Sequence, residues 1–268
     1  MITMRMKTIL AVTLGVLSFA SLGACAQAAG DDAAQNAKQA RAALDAMVKA
    51  LGGDAWLNMK NQLLQGHVAA FFHNQPDLGT TELWQYHSWP DRDRTEVTKH
   101  RDVVEFYIGD AGWEVTYRGK KATPKDLLDE HIRLRDHSIE TAVKVWMKDP
   151  RTILIYEGKR IAERHMTDQV TLISAQNEAV TIQMDSETHL PLSRSFQWRD
   201  PVYKDKNTDT EEYADYHLLD GFPTPLSITR LKNGDMTRQF YIDKAEYNRD
   251  LPADFWDVDA TAQRIKKK

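Results

Sequence analysis

The chain has 268 residues, of which 35 are Lys or Arg and 39 are Asp or Glu, so its formal net charge is −4. This acidic balance argues against a nucleic acid as the partner. With a single cysteine in the whole sequence, no intramolecular disulfide can form.

The first residues have the pattern of a bacterial export signal. Arg5 and Lys7 form a basic start, and the apolar run 8–20 follows them. The run is too short to span a bilayer as a stable helix and lies where the apolar region of a signal peptide belongs. The sequence therefore predicts a signal peptide over residues 1–24 and an exported chain after it. Because this segment holds two basic residues and no acid, the remaining chain is more acidic still.

Two processing routes are open at the end of this segment. Residues 22–25, Leu-Gly-Ala-Cys, resemble a lipobox, in which Cys25 becomes the lipidated first residue. Residues 26–28, Ala-Gln-Ala, offer an ordinary signal-peptidase site instead, with cleavage near residue 28. The place of the only cysteine favours lipid attachment at Cys25, which would anchor the protein to a membrane surface. Either route predicts the periplasm or the periplasmic face of the outer membrane of a Gram-negative bacterium.

Beyond the signal, the sequence predicts a short tether over 25–38, one domain over 39–260 and a basic, solvated tail over 261–268. The length suits one all-β domain or two small ones, and no linker-like segment divides it. The domain opens with a helix that Gly52 and Gly53 end. Its apolar residues recur at helical spacing: Ala40, Ala43, Leu44, Met47, Val48 and Leu51.

A first series of short runs with period two follows, typical of half-buried strands. The runs lie at 68–72, 84–86, 104–108 and 113–117. Residues 109–112, Gly-Asp-Ala-Gly, predict a hairpin turn between the third and fourth runs. The charged stretches 91–94 and 205–212 are interpreted as solvated charge on loops.

A helical insertion is predicted over 123–147, because Thr123 can cap a helix, Pro124 suits its first position and Asp126 stands where a capping-box acid belongs. An interruption at 136–138 predicts two consecutive helices. We expect this interruption to let the insertion hinge as a lid over the sheet. The apolar residues that share a face are Leu128, Ile132, Ile139, Val143 and Trp146.

From residue 151 the chain returns to strand patterns, with runs at 153–156, 170–173, 180–184, 192–198, 226–231 and 236–242. Asn233-Gly234 is the strongest hairpin signal, since both residues tolerate the positive φ of a type I′ turn. Strands that follow one another with short turns, with one helix before them and one helical insertion, predict an α+β fold with a meander-like antiparallel sheet.

A large curved antiparallel sheet needs its concave face filled or occupied, and two helices are too few to cover it. We therefore expect the sheet to hold a ligand. Seven Trp, nine Tyr and eight Phe supply rigid apolar surface that suits lipid tails, although filling a core is the commoner role of any single ring. The residues predicted to line the ligand site are Trp84, Phe106, Trp113, Ile132, Trp146, Phe196 and Trp198.

The nine histidines do not form a metal-binding motif. His67, His73 and His87 share no compact spacing, and His131 and His137 are off a common helical face. Scattered surface or hydrogen-bonded histidines are expected. No nucleophile elbow, P-loop or dinucleotide fingerprint is present. The sequence therefore predicts no catalytic residue, no metal and no cofactor.

The order of these elements resembles the outer-membrane lipoprotein-sorting and carrier family (LolA/LolB-like), which also includes RseB-type periplasmic proteins. Residues 50–56, 109–114 and 212–225 carry the resemblance, together with the Asn233-Gly234 hairpin, and it covers nearly all of the chain after the signal. It implies an open half-barrel, with an N-terminal helix and a helical lid, whose concave apolar face shelters acyl chains. It implies no chemistry, and no single functional residue of the family can be matched onto this chain.

Together these features predict an exported, non-catalytic envelope protein that binds a hydrophobic or lipidic ligand, such as the acyl chains of a lipid or of an acylated protein. Two other classes remain open. A periplasmic sensor or scaffold of RseB type would have a filled interior and a protein partner. A metal-dependent hydrolase would need His and acid residues from separate strands to converge.

Overall fold

The computed structural model describes residues 20–77, 79–162 and 165–267, with the backbone alone for 20–31, 162 and 165. Most of the predicted signal peptide and the side chain of Cys25 lie outside the described residues, so export and lipid attachment stay predictions. Within the described part of the chain, none of the helices combines the length and the apolar character that crossing a bilayer requires.

The described residues form five α-helices and fourteen strands. The helices are α1 (Ala20–Leu51), α2 (Asp54–Leu57), α3 (Lys125–Asp136), α4 (Ile139–Lys144), which a 3-10 turn (Trp146–Lys148) follows, and α5 (Val258–Lys266). The strands are β1 (Asn61–Phe72), β2 (Gln75–Pro76), β3 (Thr81–Ser88), β4 (Arg92–Val97), β5 (Val103–Ile108), β6 (Ala111–Thr116), β7 (Gly119–Ala122), β8 (Ile153–Ala162), β9 (His165–Ile173), β10 (Ala179–Asp185), β11 (Pro191–Arg199), β12 (Lys206–Leu219), β13 (Phe222–Lys232) and β14 (Asp235–Tyr247).

The strands form one antiparallel sheet in the order β7-β6-β5-β4-β3-β1-β14-β13-β12-β11-β10-β9-β8, with β2 paired to β1 alone. The chain starts at the centre of the sheet and meanders outward from β1 to β7. Helices α3 and α4 then carry it to the opposite edge, and β8 to β14 meander back until β14 pairs with β1. The fold is an open curved half-barrel of the α+β class, which confirms the prediction.

The N-terminal helix ends as predicted, because the Gly53 N–H donates to the carbonyl of Val48 at 2.8 Å and Gly53 has a φ of 60°. The helix begins earlier than expected, since residues 25–38, predicted as a tether, are helical. Alanine-rich sequence favours a helix there. The Asn36 side chain also fixes this segment to β8, because it exchanges two hydrogen bonds of 2.8 Å with the backbone of Tyr156.

The helical insertion is confirmed as two consecutive helices. Ser138 lies at the predicted interruption and caps α4 by accepting a hydrogen bond from the Thr141 N–H at 3.1 Å. The two helices pack differently. No residue of α3 is buried, whereas α4 buries four of its six residues.

Two charged stretches that we expected in loops belong to strands. Asp93 and Arg94 of β4 are buried, and so is Asp209 of β12. Arg94 is paired with Glu96 of the same strand at 2.6 Å, and a buried charge is tolerated when it is paired in this way. The prediction was wrong because the sequence shows the charges of a strand but not the partners that bury them.

The segment 261–268, predicted as a solvated basic tail, is helical as far as the structure describes it. Asp257 caps α5 by accepting a hydrogen bond from the Ala260 N–H at 2.9 Å. Val258, Ala262 and Ile265 recur at helical spacing and pack against Val104, Phe106 and Val115 of β5 and β6. The apolar period of this helix is the signal that the sequence analysis missed.

The two faces of the sheet are covered by different helices. We call the face that packs against α5 the outer face and the opposite one the inner face. On the inner face, Leu44 and Met47 of α1 and Val143 of α4 fill the space above β9 to β11. The strand residues of this core are Val170, Leu172, Val180, Ile182, Met184 and Phe196. This half of the inner face is therefore a closed core above β9 to β11, and the other half leaves space for a ligand.

Candidate ligand cavity

A cavity of about 390 Å³ lies on the inner face, between the sheet and α3. Strands β1, β3, β4, β5 and β11 to β14 form its floor. Leu127, Glu130, His131 and Leu134 of α3 form its roof. Its volume falls within the range of about 300–1,000 Å³ that is usual for small-molecule sites.

Helix α3 is held at its C-terminal end by polar contacts to both halves of the sheet. On one side, Arg135 donates to the carbonyl of Gly109 at 2.7 Å, in the turn between β5 and β6. On the other side, the Arg133 Nε lies 3.4 Å from Asp209 Oδ2 of β12. The Arg133 guanidinium also stacks on Trp198 of β11, 3.6 Å from the ring centroid. Helix α3 therefore spans the open side of the half-barrel, and we call it the strap.

One part of the cavity wall is apolar. Its floor residues come from five strands, and the ends of α1 and α2 add Leu51 and Trp56. A continuous apolar wall under a loosely packed helix can hold a hydrocarbon chain. The floor residues are Leu64, Val68, Leu83, Val97, Ile228 and Phe240.

A carboxylate between two imidazoles joins the roof to the floor. Asp93 Oδ1 lies 2.8 Å from His87 Nδ1 of β3, and Asp93 Oδ2 lies 3.3 Å from His131 Nε2 of α3. The His131 ring also stacks on Tyr107 of β5, with 3.7 Å between the centroids. Because His131 belongs to α3, this cluster fixes the middle of the strap to the sheet.

The pKa values of this cluster favour the ionic form. Burial alone would raise the pKa of Asp93, but the two imidazoles hold it well below its ordinary value. Burial alone would lower the pKa of His87, yet the hydrogen bond and the charge of Asp93 raise it. Asp93 is therefore an anion at neutral pH, and His87 holds its proton more firmly than an ordinary histidine.

A second charged group lies on the floor, across β11, β12 and β13. Glu211 accepts from Arg230 Nε at 2.7 Å, and Arg194 Nη2 lies 3.3 Å from its other oxygen. The Tyr213 hydroxyl donates to the oxygen that faces Arg194, at 2.7 Å. Burial opposes ionisation, but Arg194 and Arg230 lower the pKa of Glu211 to about 2. This acid is therefore charged at neutral pH, and both of its oxygens have partners.

The structure places three of the seven predicted lining residues on the outer face. Phe106 is fully buried and Trp113 packs beside it, in the cluster beneath α5. Trp84 lies beneath Arg101, whose guanidinium carbon is 5.0 Å from the ring centroid. Ligand contact by these three stays a prediction, and the cavity lies on the other side of their strands.

The other four lie on the inner face or on α3, outside the cavity lining. Phe196 and Trp146 belong to the closed core of α1 and α4. Trp198 lies under Arg133, and Ile132 is half-buried on α3. None of these four lines the cavity of about 390 Å³, and ligand contact by them likewise stays a prediction.

The cavity residues that the sequence analysis missed occupy the alternate positions of the same strands. Gln85 and His87 of β3, Thr95 of β4, and Glu105 and Tyr107 of β5 all line the cavity. Polar residues at every second position of a strand are typical of a solvated face. The alternation itself was the only available signal, and it does not distinguish a polar cavity wall from a surface.

In the part of the chain that the structure describes, no three His, Cys, Asp or Glu side chains are grouped so that they could hold a metal ion. His87, Asp93 and His131 are joined by the hydrogen bond between His87 and Asp93 and by the 3.3 Å contact of His131 with Asp93. What the cavity offers a ligand is an apolar wall, hydrogen-bonding groups and fixed charges.

No protein-family model matches the sequence, and no curated protein sequence matches it. Solved structures share its fold. A domain of the outer membrane lipoprotein-sorting type from Vibrio parahaemolyticus matches 83% of this chain and 99% of its own, with a TM-score of 0.54 and 10% identity. A DUF1329 family protein from Desulfovibrio piger matches 82% of this chain and 98% of its own, with a TM-score of 0.56 and 10% identity.

A LolA superfamily protein from Nitrosomonas europaea matches 82% of this chain and 98% of its own, with a TM-score of 0.51 and 13% identity. At these identities the likeness is one of fold. The protein shares the half-barrel fold of these three structures, one of which is a LolA superfamily protein, as the order of its elements predicted.

Proposed function

We propose that this protein is a non-catalytic carrier or receptor of the bacterial envelope that holds a hydrophobic or lipidic ligand beneath α3. The observation that carries the proposal is the cavity of about 390 Å³ with a continuous apolar wall. A scaffold with a filled interior would close the whole inner face, as α1 and α4 close it above β9 to β11. Instead, the cavity separates the central strands of the sheet from α3.

Helix α3 is the proposed lid. Its attachments are the polar contacts of Arg133 and Arg135, the contacts of His131 with Asp93 and Tyr107, and the packing of half-buried Leu134 against the closed core. It buries no residue fully. Helix α4 and Trp146 belong to the closed core. The proposed lid is therefore α3, a smaller element than the whole insertion over 123–147, and its release would expose the cavity without opening the core.

A bulky side chain placed in the apolar wall tests this function. Val68 is half-buried on the central strand and lines the cavity, so the indole of Val68→Trp should occupy ligand space. We expect affinity for the uncharged fluorescent probe N-phenyl-1-naphthylamine to fall at least about ten-fold, the effect of roughly 1.4 kcal/mol of lost contact. The measurement is a fluorescence titration, with circular dichroism to verify the fold.

The matched control is Leu218→Trp, because Leu218 is 72% exposed on β12 and lies outside the cavity lining. It should bind the probe as the unmodified protein does. If Val68→Trp does not fold, Ile228→Asn places a polar group in the same wall and should weaken binding in the same direction. Unchanged probe affinity in a folded cavity variant would contradict the proposed function.

Export and lipid attachment complete the proposal, supported by the basic start, the apolar run and the solitary Cys25. If Cys25 is acylated, Cys25→Ser should move the processed protein from the membrane fraction to the soluble periplasmic fraction. Fractionation followed by immunoblotting measures this shift. Identical distribution of both forms would mean cleavage near residue 28 without lipid.

A further inference from the structure

Four charged side chains lie side by side across the floor of the cavity. In the strand register, Arg194 of β11 is opposite Glu211 of β12, Glu211 is opposite Arg230 of β13, and Arg230 is opposite Arg238 of β14. All four line the cavity. This row holds three guanidinium groups and one carboxylate, so it carries an excess of positive charge.

Both carboxylate oxygens of Glu211 already have partners, so Glu211 does not pair with Arg238. One of its oxygens accepts from Arg230, and the other faces Arg194 and accepts from the Tyr213 hydroxyl. Among the residues that the structure describes, no carboxylate lies within 4.0 Å of the Arg238 guanidinium, so its charge has no ion-pair partner among them.

Four other acids line the cavity, Asp93, Glu105, Glu130 and Glu140, and none of them forms an ion pair with an arginine of this row. The charge of Arg238 lowers the pKa of Glu105, but burial raises that pKa by more. The two side chains form no ion pair. Asp93 is engaged by His87 and His131. An anion that enters the cavity therefore meets the unpaired guanidinium of Arg238 beside that of Arg230.

A local irregularity of the sheet creates this arginine pair. The hairpin register runs from Lys232 opposite Asp235 to Leu231 opposite Met236, and a shift then brings Arg230 opposite Arg238. The extra residue is Thr237, whose hydroxyl donates to the Arg230 carbonyl at 3.1 Å. Like charges directly opposite each other destabilise a strand pair. Arg238 is exposed, so solvent screens part of this repulsion, and an anion between the two arginines would reduce it further.

Next to the arginines on the same strands, the cavity wall changes from charged to apolar. Ile228 is opposite Phe240, and Phe240 is opposite Val68 on β1. These three residues belong to the apolar wall, and Arg230 lies 5.0 Å over the Phe240 ring. The cavity thus places a cationic pair at one end of an apolar surface. A guanidinium pair matches an anion that offers two or more oxygens, such as a carboxylate or a phosphate.

We infer that the ligand is an amphiphile with an anionic oxygen headgroup, bound between Arg230 and Arg238, and with an apolar chain along Val68, Ile228 and Phe240. This inference rests on the proposed carrier function and assigns the class of its ligand. The headgroup supplies the negative charge that the row lacks. The chain covers the apolar wall that α3 leaves unfilled.

Displacement of N-phenyl-1-naphthylamine by matched amphiphiles tests the inference on the full chain. Dodecanoate and dodecyl phosphate should displace the probe at roughly ten-fold lower concentration than dodecanol, because a charge-assisted contact is added to the same chain. Arg238→Gln should remove this advantage and leave the dodecanol value unchanged. The matched control Arg118→Gln, on an exposed turn away from the cavity, should change neither value.

The results that would contradict the headgroup inference differ from those that would contradict the carrier function. Equal displacement by dodecanol and dodecanoate, or an equal loss for both in Arg238→Gln, would overturn the headgroup inference and leave the carrier function standing. Inorganic phosphate that binds as tightly as dodecyl phosphate in calorimetry would identify a site for a free anion and would also overturn it. Failure of the probe and of every amphiphile to bind would defeat the carrier function itself.

Discussion

Glu211→Gln should lower the free energy of unfolding by about 3–5 kcal/mol, the usual cost of removing one partner from a buried ion pair. The Arg194 side chain is only 3% exposed, and without Glu211 its remaining partner is the carbonyl of His137 at 3.2 Å. The substitution would also leave the three arginines of the row without an acid. Urea denaturation at pH 7 measures the loss. The control is Glu157→Gln on the exposed side of β8, which should stay within about 0.5 kcal/mol.

The pH dependence of this loss follows from the low pKa of Glu211. Arg194 and Arg230 lower the pKa from 4.5 to about 2, so the folded state holds the ionised form more firmly than the unfolded state does. Its stabilising contribution is full above pH 4.5 and is lost as the pH falls towards 2. The difference between the two proteins should therefore be constant from neutral pH downward and shrink only below pH 4.5. A difference under about 1 kcal/mol at pH 7 would contradict the buried network.

Asp93→Asn should lower the free energy of unfolding by about 3 kcal/mol, since it removes the only anion between two half-buried imidazoles. The variant should also loosen α3, because His131 loses its contact with the Asp93 carboxylate on the floor. Hydrogen exchange of residues 125–136 reports on the helix, and urea denaturation reports on the whole fold. The matched control is Asp77→Asn, at an exposed position outside the cavity lining.

The contributions of Asp93 and His87 to the free energy of unfolding depend on pH with opposite signs. The pKa of Asp93 is lowered from 3.8, so its contribution is full above that pH and is lost as the pH falls. The pKa of His87 is raised from 6.5, so its contribution is full below pH 6.5 and is lost as the pH rises through the raised value. The cost of Asp93→Asn should therefore be greatest between these pH values and smaller at pH 9. An equal cost at pH 5 and pH 9 would show that no charged imidazole takes part.

The sequence predicted most elements of the fold because a short local pattern indicates each of them. The apolar spacing of α1, the glycines that end it and the Asn233-Gly234 turn act over a few residues, and each was confirmed. Strand β4 was missed because Asp93, Arg94 and Glu96 are charged residues that only distant partners allow to be buried. Helix α5 was missed because three positively charged residues at the chain end outweighed the apolar period of Val258, Ala262 and Ile265.

The ligand site was less predictable than the fold because each face of β5 has a helix opposite it. Helix α5 packs against the outer face, and α3 roofs the cavity on the inner face, so the apolar period of Val104 and Phe106 identified a buried face but not the one with the cavity. The arginine row depends on register across four strands and on the bulge at Thr237. A regular two-residue hairpin would place Arg230 opposite Thr237, and no local pattern reveals the shift.

The most direct measurement for the proposed carrier function is mass spectrometry of the lipids that accompany the protein when it is purified from its native envelope. Native spectra give the mass of the complex, and solvent extraction identifies the bound molecule. We predict an amphiphile with an anionic headgroup in near-equimolar amount, and a strongly reduced amount in Val68→Trp prepared in parallel. A protein that carries no lipid above the level of Val68→Trp, and that takes up none from added dodecanoate, would contradict the carrier function.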